Sequence, residues 1–416
     1  MARRRSSSGS TQSRYFVLRR SLWNWAMRAG LAIAAVVIGG YGTAFSIGQA
    51  VVSVNPTLAH RLVPYDGRTT AVYAASLTGP EASAAARAQA DALASRALRQ
   101  DPTAVVAAST LGLDAMIEGR KAIARQYFTY AQILSRRDFK TQLWAIENAV
   151  GRGDVRGALD QYDIALRTTA RGGELFFPIL ASANATPEVR AGLIHKLVTR
   201  PPWGEGFINY LAGSGLDARP AAALFMGLRR AGVVISPVAQ ADVIEALING
   251  GFTEDAWAYY ASLHPGVDRG HSRDPHFAAN TDQPTPFDWV AVNTDGISTS
   301  IQGGAVDFTV PASVSGAMLR QVQLLPPGAY RLSGHSLGIV QEAEALPYWT
   351  LICGSTGREL DRVDVPNSAT GSGRFVGGFK VPANCPVQVL TLIARPSEAT
   401  GGLSGQFDTV ELVPAR

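Results

Sequence analysis

The pentapeptide GHSLG, Gly334 to Gly338, fits G-x-S-x-G, the turn that presents a nucleophilic hydroxyl in serine hydrolases. That chemistry needs a histidine base held by a carboxylate, and in this motif both follow the serine along the chain. The six histidines are His60, His195, His264, His271, His276 and His335, so none follows Ser336. The run AYRLSGHSL reads as one of a series of short strands, not as a strand opening into a long helix. Ser336 therefore reads as a small residue on a strand. His271 and His276, with Asp274 between them, suggest a metal, but no further ligand cluster accompanies them. Glu342 and Glu344 read as a solvated turn, not as glycosidase acids. A catalytic cysteine lacks a downstream histidine as well. There is no P-loop or dinucleotide fingerprint. No catalytic residue, metal or cofactor is expected, and the chain reads as non-enzymatic.

Recognition remains. Sugar binding uses an aromatic ring against a pyranose face, flanked by hydrogen-bonding groups. Candidate rings are Trp289 in PFDWVAV, Tyr348 and Trp349 in LPYWTL, and Phe407 in GQFDTV; Asp288, Arg374 and Asp408 could supply hydrogen bonds. Large aromatics at these spacings also build cores, and that reading stands beside the first for Trp289 and Trp349. Adjacent Tyr348 and Trp349 point to opposite faces of a shared strand, so only one can be core.

The elements that would position these residues fall into three regions. Seven arginines lie in the first 28 residues: Arg3, Arg4, Arg5, Arg14, Arg19, Arg20 and Arg28. Without them the 38 basic residues fall to 31, against 33 acidic. The body is thus slightly acidic, which argues against nucleic acid as a partner. No charge follows until beyond Gln49, and AGLAIAAVVIGGYGTAFSIG is long enough to cross a bilayer as a helix. Trp23 and Trp25 stand where interface aromatics do, and the one-sided arginines place the N-terminus in the cytoplasm. A cleaved signal peptide ending near GQA at 48–50 is the alternative. Either way the body is exported. Cys353 and Cys385 can then pair and add about 3 kcal/mol by closing their loop, the alternative being two buried thiols.

The middle region repeats at 34 residues. Ala90, Ala94 and Ala97 map onto Ala124, Phe128 and Ala131, then onto Ala158, Tyr162 and Ala165; Gly119 maps onto Gly153. A small residue with a larger one four positions on is a helix-packing pair. LRQDPTAVVAASTLGLDAMIEGRKAIARQYFTYAQIL resembles a tetratricopeptide repeat (TPR), with Leu111 and Gly112 in its first helix and Ala124, Phe128 and Ala131 in its second. The next copy keeps Gly153, Ala158, Tyr162 and Ala165 but has Ala145 and Ile146 where Leu and Gly are expected. The resemblance implies a stacked helical solenoid with a groove for a protein partner. Helices continue through TPEVRAGLIHKLV, RPAAALFMGLRRAG and VAQADVIEALINGGFTEDAWAYYASL.

After residue 265 a Gly/Pro/Asp-rich connector gives way to short strand-like runs between turns, the pattern of a β-sandwich. LPPGAYRLSG and GQFDTVELVP resemble strands of galactose-binding or carbohydrate-binding jelly-roll modules. The expected layout is a basic cytoplasmic tail (1–28), a transmembrane helix (29–51), a juxtamembrane helical segment (52–84), a TPR-like helical repeat domain (85–265), a linker (266–285) and a β-sandwich domain (286–416). This combination resembles membrane-anchored repeat proteins of Gram-negative α-proteobacteria, associated with envelope or exopolysaccharide assembly. The resemblance implies a single-pass inner-membrane protein with a periplasmic body, whose repeats bind a protein and whose sandwich binds polysaccharide. The alternative is a purely protein-binding assembly factor with a structural or oligomerising sandwich.

Overall fold

The computed structural model describes residues 22–79, 81–279, 282–397 and 400–415. Six of the seven tail arginines, Arg3 to Arg20, and the Trp23 side chain lie outside the described positions. The chain divides into two compact units, 1–147 and 148–416.

In the first unit, the apolar run forms α1 (Leu22–Val51), whose stretch Trp25–Val51 is long and apolar enough to cross a membrane. There follow α2 (Pro56–Leu62), α3 (Gly67–Ser76), α4 (Ala84–Gln100), α5 (Val105–Ile117), α6 (Lys121–Leu134) and α7 (Phe139–Val150), whose last turn passes into the second unit. Side chains set the starts: Asn55, Asp66 and Ser83 accept hydrogen bonds from the N–H groups of Leu58, Thr69 and Ala86. The turn between α5 and α6 bends at Gly119, with φ +76°. Gly112 lets α5 and α6 meet, because a Cβ there would lie 3.0 Å from the Phe128 ring. Phe128 in turn stacks on Trp144 at 4.9 Å. Leu111, Ala124, Phe128 and Ala131 are all buried.

A carboxyl pair lies inside this unit. Asp114 of α5 is buried beside Asp91 of α4, and one oxygen of each lacks a hydrogen-bond partner. Arg87 approaches Asp114 at 3.7 Å and Arg120 approaches Asp91 at 3.9 Å, too distant to neutralise both. Burial, followed by the Asp114 charge, raises the Asp91 pKa to about 6. The folded form therefore binds a proton more tightly than the unfolded chain. Stability is fullest below the unfolded pKa and declines as pH rises toward 6. Asp91→Asn should stabilise the protein by about 1–2 kcal/mol at pH 7.5, and that gain should vanish below pH ~4. Thermal unfolding of both proteins across that range checks the sign.

The second unit continues with α8 (Val155–Thr168), α9 (Gly172–Ala183), α10 (Pro187–Val198), α11 (Gly204–Ala212), α12 (Ala218–Arg230), α13 (Pro237–Asn249) and α14 (Thr253–Leu263). Gly153, 34 residues after Gly119, has φ +68° at the equivalent turn. Ala158, Tyr162 and Ala165 are buried, and Tyr162 meets Phe176 edge-on at 5.5 Å.

The sandwich has two five-stranded antiparallel sheets. Its strands are β1 (Val290–Ala291), β2 (Ser298–Gln302), β3 (Ala305–Val310), β4 (Gly316–Gln323), β5 (Gly328–Leu337), β6 (Tyr348–Cys353), β7 (Glu359–Asp364), β8 (Arg374–Val381), β9 (Gln388–Ala394) and β10 (Leu403–Pro414). One sheet runs β1-β4-β9-β6-β7 and the other β2-β3-β10-β5-β8. Alternation is plain in β3, where Val306, Phe308 and Val310 are buried and Asp307 and Thr309 exposed. The core between the sheets includes Phe308, Leu332, Trp349, Phe375, Leu390 and Phe407. Cys353, ending β6, is disulfide-bonded to Cys385 ahead of β9.

Candidate functional site

The serine motif resolves into packing. Ser336 is fully buried, and its hydroxyl donates to the Gly373 carbonyl at 3.2 Å. Gly334 is small because a Cβ there would lie 2.6 Å from the Thr409 carbonyl oxygen. His335, on the opposite face of β5, receives no serine; its Nδ1 lies 2.8 Å from Asp408 Oδ2.

The candidate sugar residues separate into four places. Trp349 and Phe407 are each 0% exposed and lie 5.8 Å apart in the aromatic core, where Phe407 also stacks on Phe308. Neither has a ring face to offer a ligand, a correction to their reading as platforms. Tyr348 does lie on the other face of β6, half-buried. Its ring is engaged, since Arg362 and Arg395 hold guanidinium carbons 4.8 and 4.5 Å from its centroid. Arg374 and Asp408 are brought near each other on the outer face of the second sheet, because His335 pairs in register with Arg374 and bonds Asp408. This sheet also borders a groove of about 360 Å³ beside Asp307, Leu337 and Gln406.

Asp288 and Trp289 come together at the open side of the sandwich, where the edge strands β1 and β2 face each other. A cleft of about 940 Å³ lies there, walled by β1, β2 and the connector residues Asp274, Phe277, Ala278, Ala279, Asp282 and Pro284. The connector is folded tightly: Asp274 and Phe277 both have positive φ, +48° and +52°. The Asp274 carboxylate accepts from the N–H groups of Ala278 and Ala279 at 2.7 and 3.0 Å, while its carbonyl accepts from Trp289 Nε1 at 2.9 Å. Such strain persists only where the surroundings enforce it, here through Phe277 packed against Trp289 at 5.5 Å. Trp289 is a wall of the cleft, 4% exposed and held against Trp349, so almost none of its ring is free.

Asp288 is committed to structure. Its Oδ1 accepts from the Tyr260 hydroxyl at 2.7 Å, and its Oδ2 from the Thr285 amide and hydroxyl at 2.9 and 2.8 Å. Burial, then the Asp288 charge, pushes the Tyr260 phenol well above its ordinary pKa. Arg273 completes the joint: it donates to Phe287 O at 3.0 Å, Gln323 Oε1 at 2.8 Å and Val322 O, and it packs over Trp257 and Phe287. Burial draws its pKa down to about 10, so it stays charged at neutral pH.

The groups free to meet a ligand were not singled out by sequence. Ser300 is half-buried in the cleft wall, whereas the hydroxyl of the neighbouring Thr299 is itself buried, without a hydrogen-bond partner and out of a ligand's reach. Gln302 and Asp282 are exposed at the rim. The sequence signal available was the short run STSIQGG, whose paired glycines, both at positive φ, close the turn from β2 to β3.

No protein-family model matches the chain, and no curated protein matches it. Among solved structures, the chain is similar to one described as "CBM4 structure and function" (14% identity, 35% of this chain and 99% of that one, TM-score 0.28). It is similar to the CBM22-1 xylan-binding domain of Paenibacillus barcinonensis Xyn10C (14% identity, 34% and 93%, TM-score 0.24). It is also similar to a human IFIT1 dimer with PPP-AAAA (14% identity, 59% and 69%, TM-score 0.26).

Proposed function

We propose that this protein is a non-enzymatic, membrane-anchored adaptor whose sandwich holds a glycan in the cleft between β1 and β2 and whose helical hairpins hold a protein. In this reading the hairpins are TPR-like, α1 is an uncleaved inner-membrane anchor, the body is periplasmic, and the setting is α-proteobacterial envelope or exopolysaccharide assembly. The observation that carries the glycan half is the cleft itself. Trp289 forms part of its wall, and Gln302 and Ser300 offer donors and acceptors to a ligand. Among the described residues the lining holds Asp274, Asp282 and Asp288 and no cationic side chain, which favours neutral sugars over uronic acids.

The test is a glycan array probed with the full chain in detergent micelles. Neutral oligosaccharides should bind selectively, and Gln302→Ala should weaken them about tenfold, as the loss of one ligand hydrogen bond would. Ser300→Ala should weaken binding without destabilising the protein, since this hydroxyl stands half-exposed in the cleft wall. Binding that ignores both substitutions, or no selective binding, would sink the glycan reading.

The purely protein-binding reading draws on a different observation. The loop before α13 exposes Val234 to 88%, and Val233 to Ile235 border two adjoining grooves with Leu197, Pro201 and Ile208 on one side and Tyr259 on the other. In this reading the exposed Val234 and the grooves on either side of it would meet a protein partner.

A further inference from the structure

The start of the helical body bears on how deep α1 sits in a bilayer. After Val51 the chain turns at once, with the Asn55 amide bonding the Val51 carbonyl at 2.7 Å. Helix α2 then doubles back along α1. Its far end reaches Gly48, where a Cβ would lie 2.8 Å from Val63, so only glycine allows this approach. The turn that follows, residues 63–66, descends further: Tyr65 meets Tyr41 of α1 edge-on, ring centroids 5.6 Å apart.

That turn carries a carboxylate and is tied to polar neighbours. The Asp66 carboxylate accepts from Gln49 Nε2 at 3.2 Å and from the Thr69 amide at 2.8 Å. The Pro64 carbonyl accepts from Gln100 at the end of α4, next to the Arg68–Asp101 ion pair. Tyr41 lies ten residues before Val51, about 15 Å along the helix. If hydrocarbon extended to Val51, this turn, Asp66 and the base of α4 would all be immersed in lipid. Irregular backbone and carboxylates are not tolerated there.

We propose that the hydrocarbon ends near Tyr41, that the last ten residues of α1 belong to the folded body, and that Tyr41 and Tyr65 together anchor the turn 63–66 in the lipid headgroup layer. This rests on the reading that α1 spans the membrane. Trp25 and Tyr41 are about 24 Å apart along the helix, against a core of about 30 Å. The shortfall draws the tyrosine pair down to the acyl boundary, where amphipathic rings are favoured. Beyond Tyr41, outside the crossing, the Thr43 and Ser46 hydroxyls bond the Gly39 and Gly42 carbonyls, at 2.8 and 2.9 Å.

Thiol labelling tests this, since no free cysteine is present among the described residues. Pro64→Cys and Val54→Cys, each carrying an environment-sensitive fluorophore, are placed in full-length protein in phosphatidylcholine nanodiscs. Pro64 lies in the turn after α2, whereas Val54 lies before α2, in the turn that follows α1, and is 86% exposed. The label at 64 should be quenched by acyl chains brominated near the headgroup and spared by aqueous iodide; the label at 54 should show the reverse. Iodide quenching alone at 64 would overturn the proposal. So would shielding from both quenchers, which would mean a protein covers the turn. Carbonate extraction of the unlabelled chain from native membranes is read separately: release would remove the spanning premise, whereas retention with iodide-only quenching would refute the depth alone.

Discussion

Arg273→Met should destabilise the second unit by about 3–5 kcal/mol, the range for leaving buried polar partners uncompensated. The side chain is buried, and three of its N–H groups go to Phe287 O, Val322 O and Gln323 Oε1. Methionine fills much of the volume but leaves those acceptors dry. Gln323 also donates to Gln321, which donates to the Arg273 carbonyl, so the loss spreads through a closed network. The same network reaches α14, because Asp288 accepts from Tyr260 and Phe287 packs against Trp257 and Tyr260. Helix and sandwich should therefore unfold together in the unaltered protein. In the variant, urea unfolding followed by tryptophan fluorescence should show a lower midpoint. A midpoint within the error of the unaltered protein would mean water satisfies those acceptors.

The helical hairpins were legible because packing pairs recur: Ala124 with Phe128 and Ala158 with Tyr162 are small-to-large steps at one helical face. The strands were legible where burial alternates, as in β3 and β8. Strand β7, ELDRVD, escaped because only Val363 is buried on it and four of its six residues are charged. Short helices α2 and α11 lack the length for periodicity to declare itself. The connector was read as a linker from its composition. Its role in lining the cleft depends on Arg273 and Phe277 finding partners far along the chain, and composition carries no such information. The cleft was half visible, through Asp288 and Trp289. Ser300 and Gln302 were invisible because lining a cleft is a property of a residue's surroundings, not of its type.

Trp349→Ala should cost about 3–5 kcal/mol of stability, the usual cost of removing a large buried aromatic. The side chain is 0% exposed and touches both Trp289 and Phe407. Loss of glycan binding in that variant would therefore report a collapsed core and a displaced Trp289, not a missing contact. The two causes part on stability. Gln302→Ala lies at an exposed rim and should leave the unfolding midpoint within about 0.5 kcal/mol while weakening any ligand. Trp349→Ala should lower the midpoint with or without ligand. If Trp349→Ala kept full stability yet lost binding, the ring would have to be reachable by sugar, and the core drawn here would be wrong at its centre. Differential scanning calorimetry of both variants, with and without a saturating neutral oligosaccharide, reads the two outcomes in one experiment.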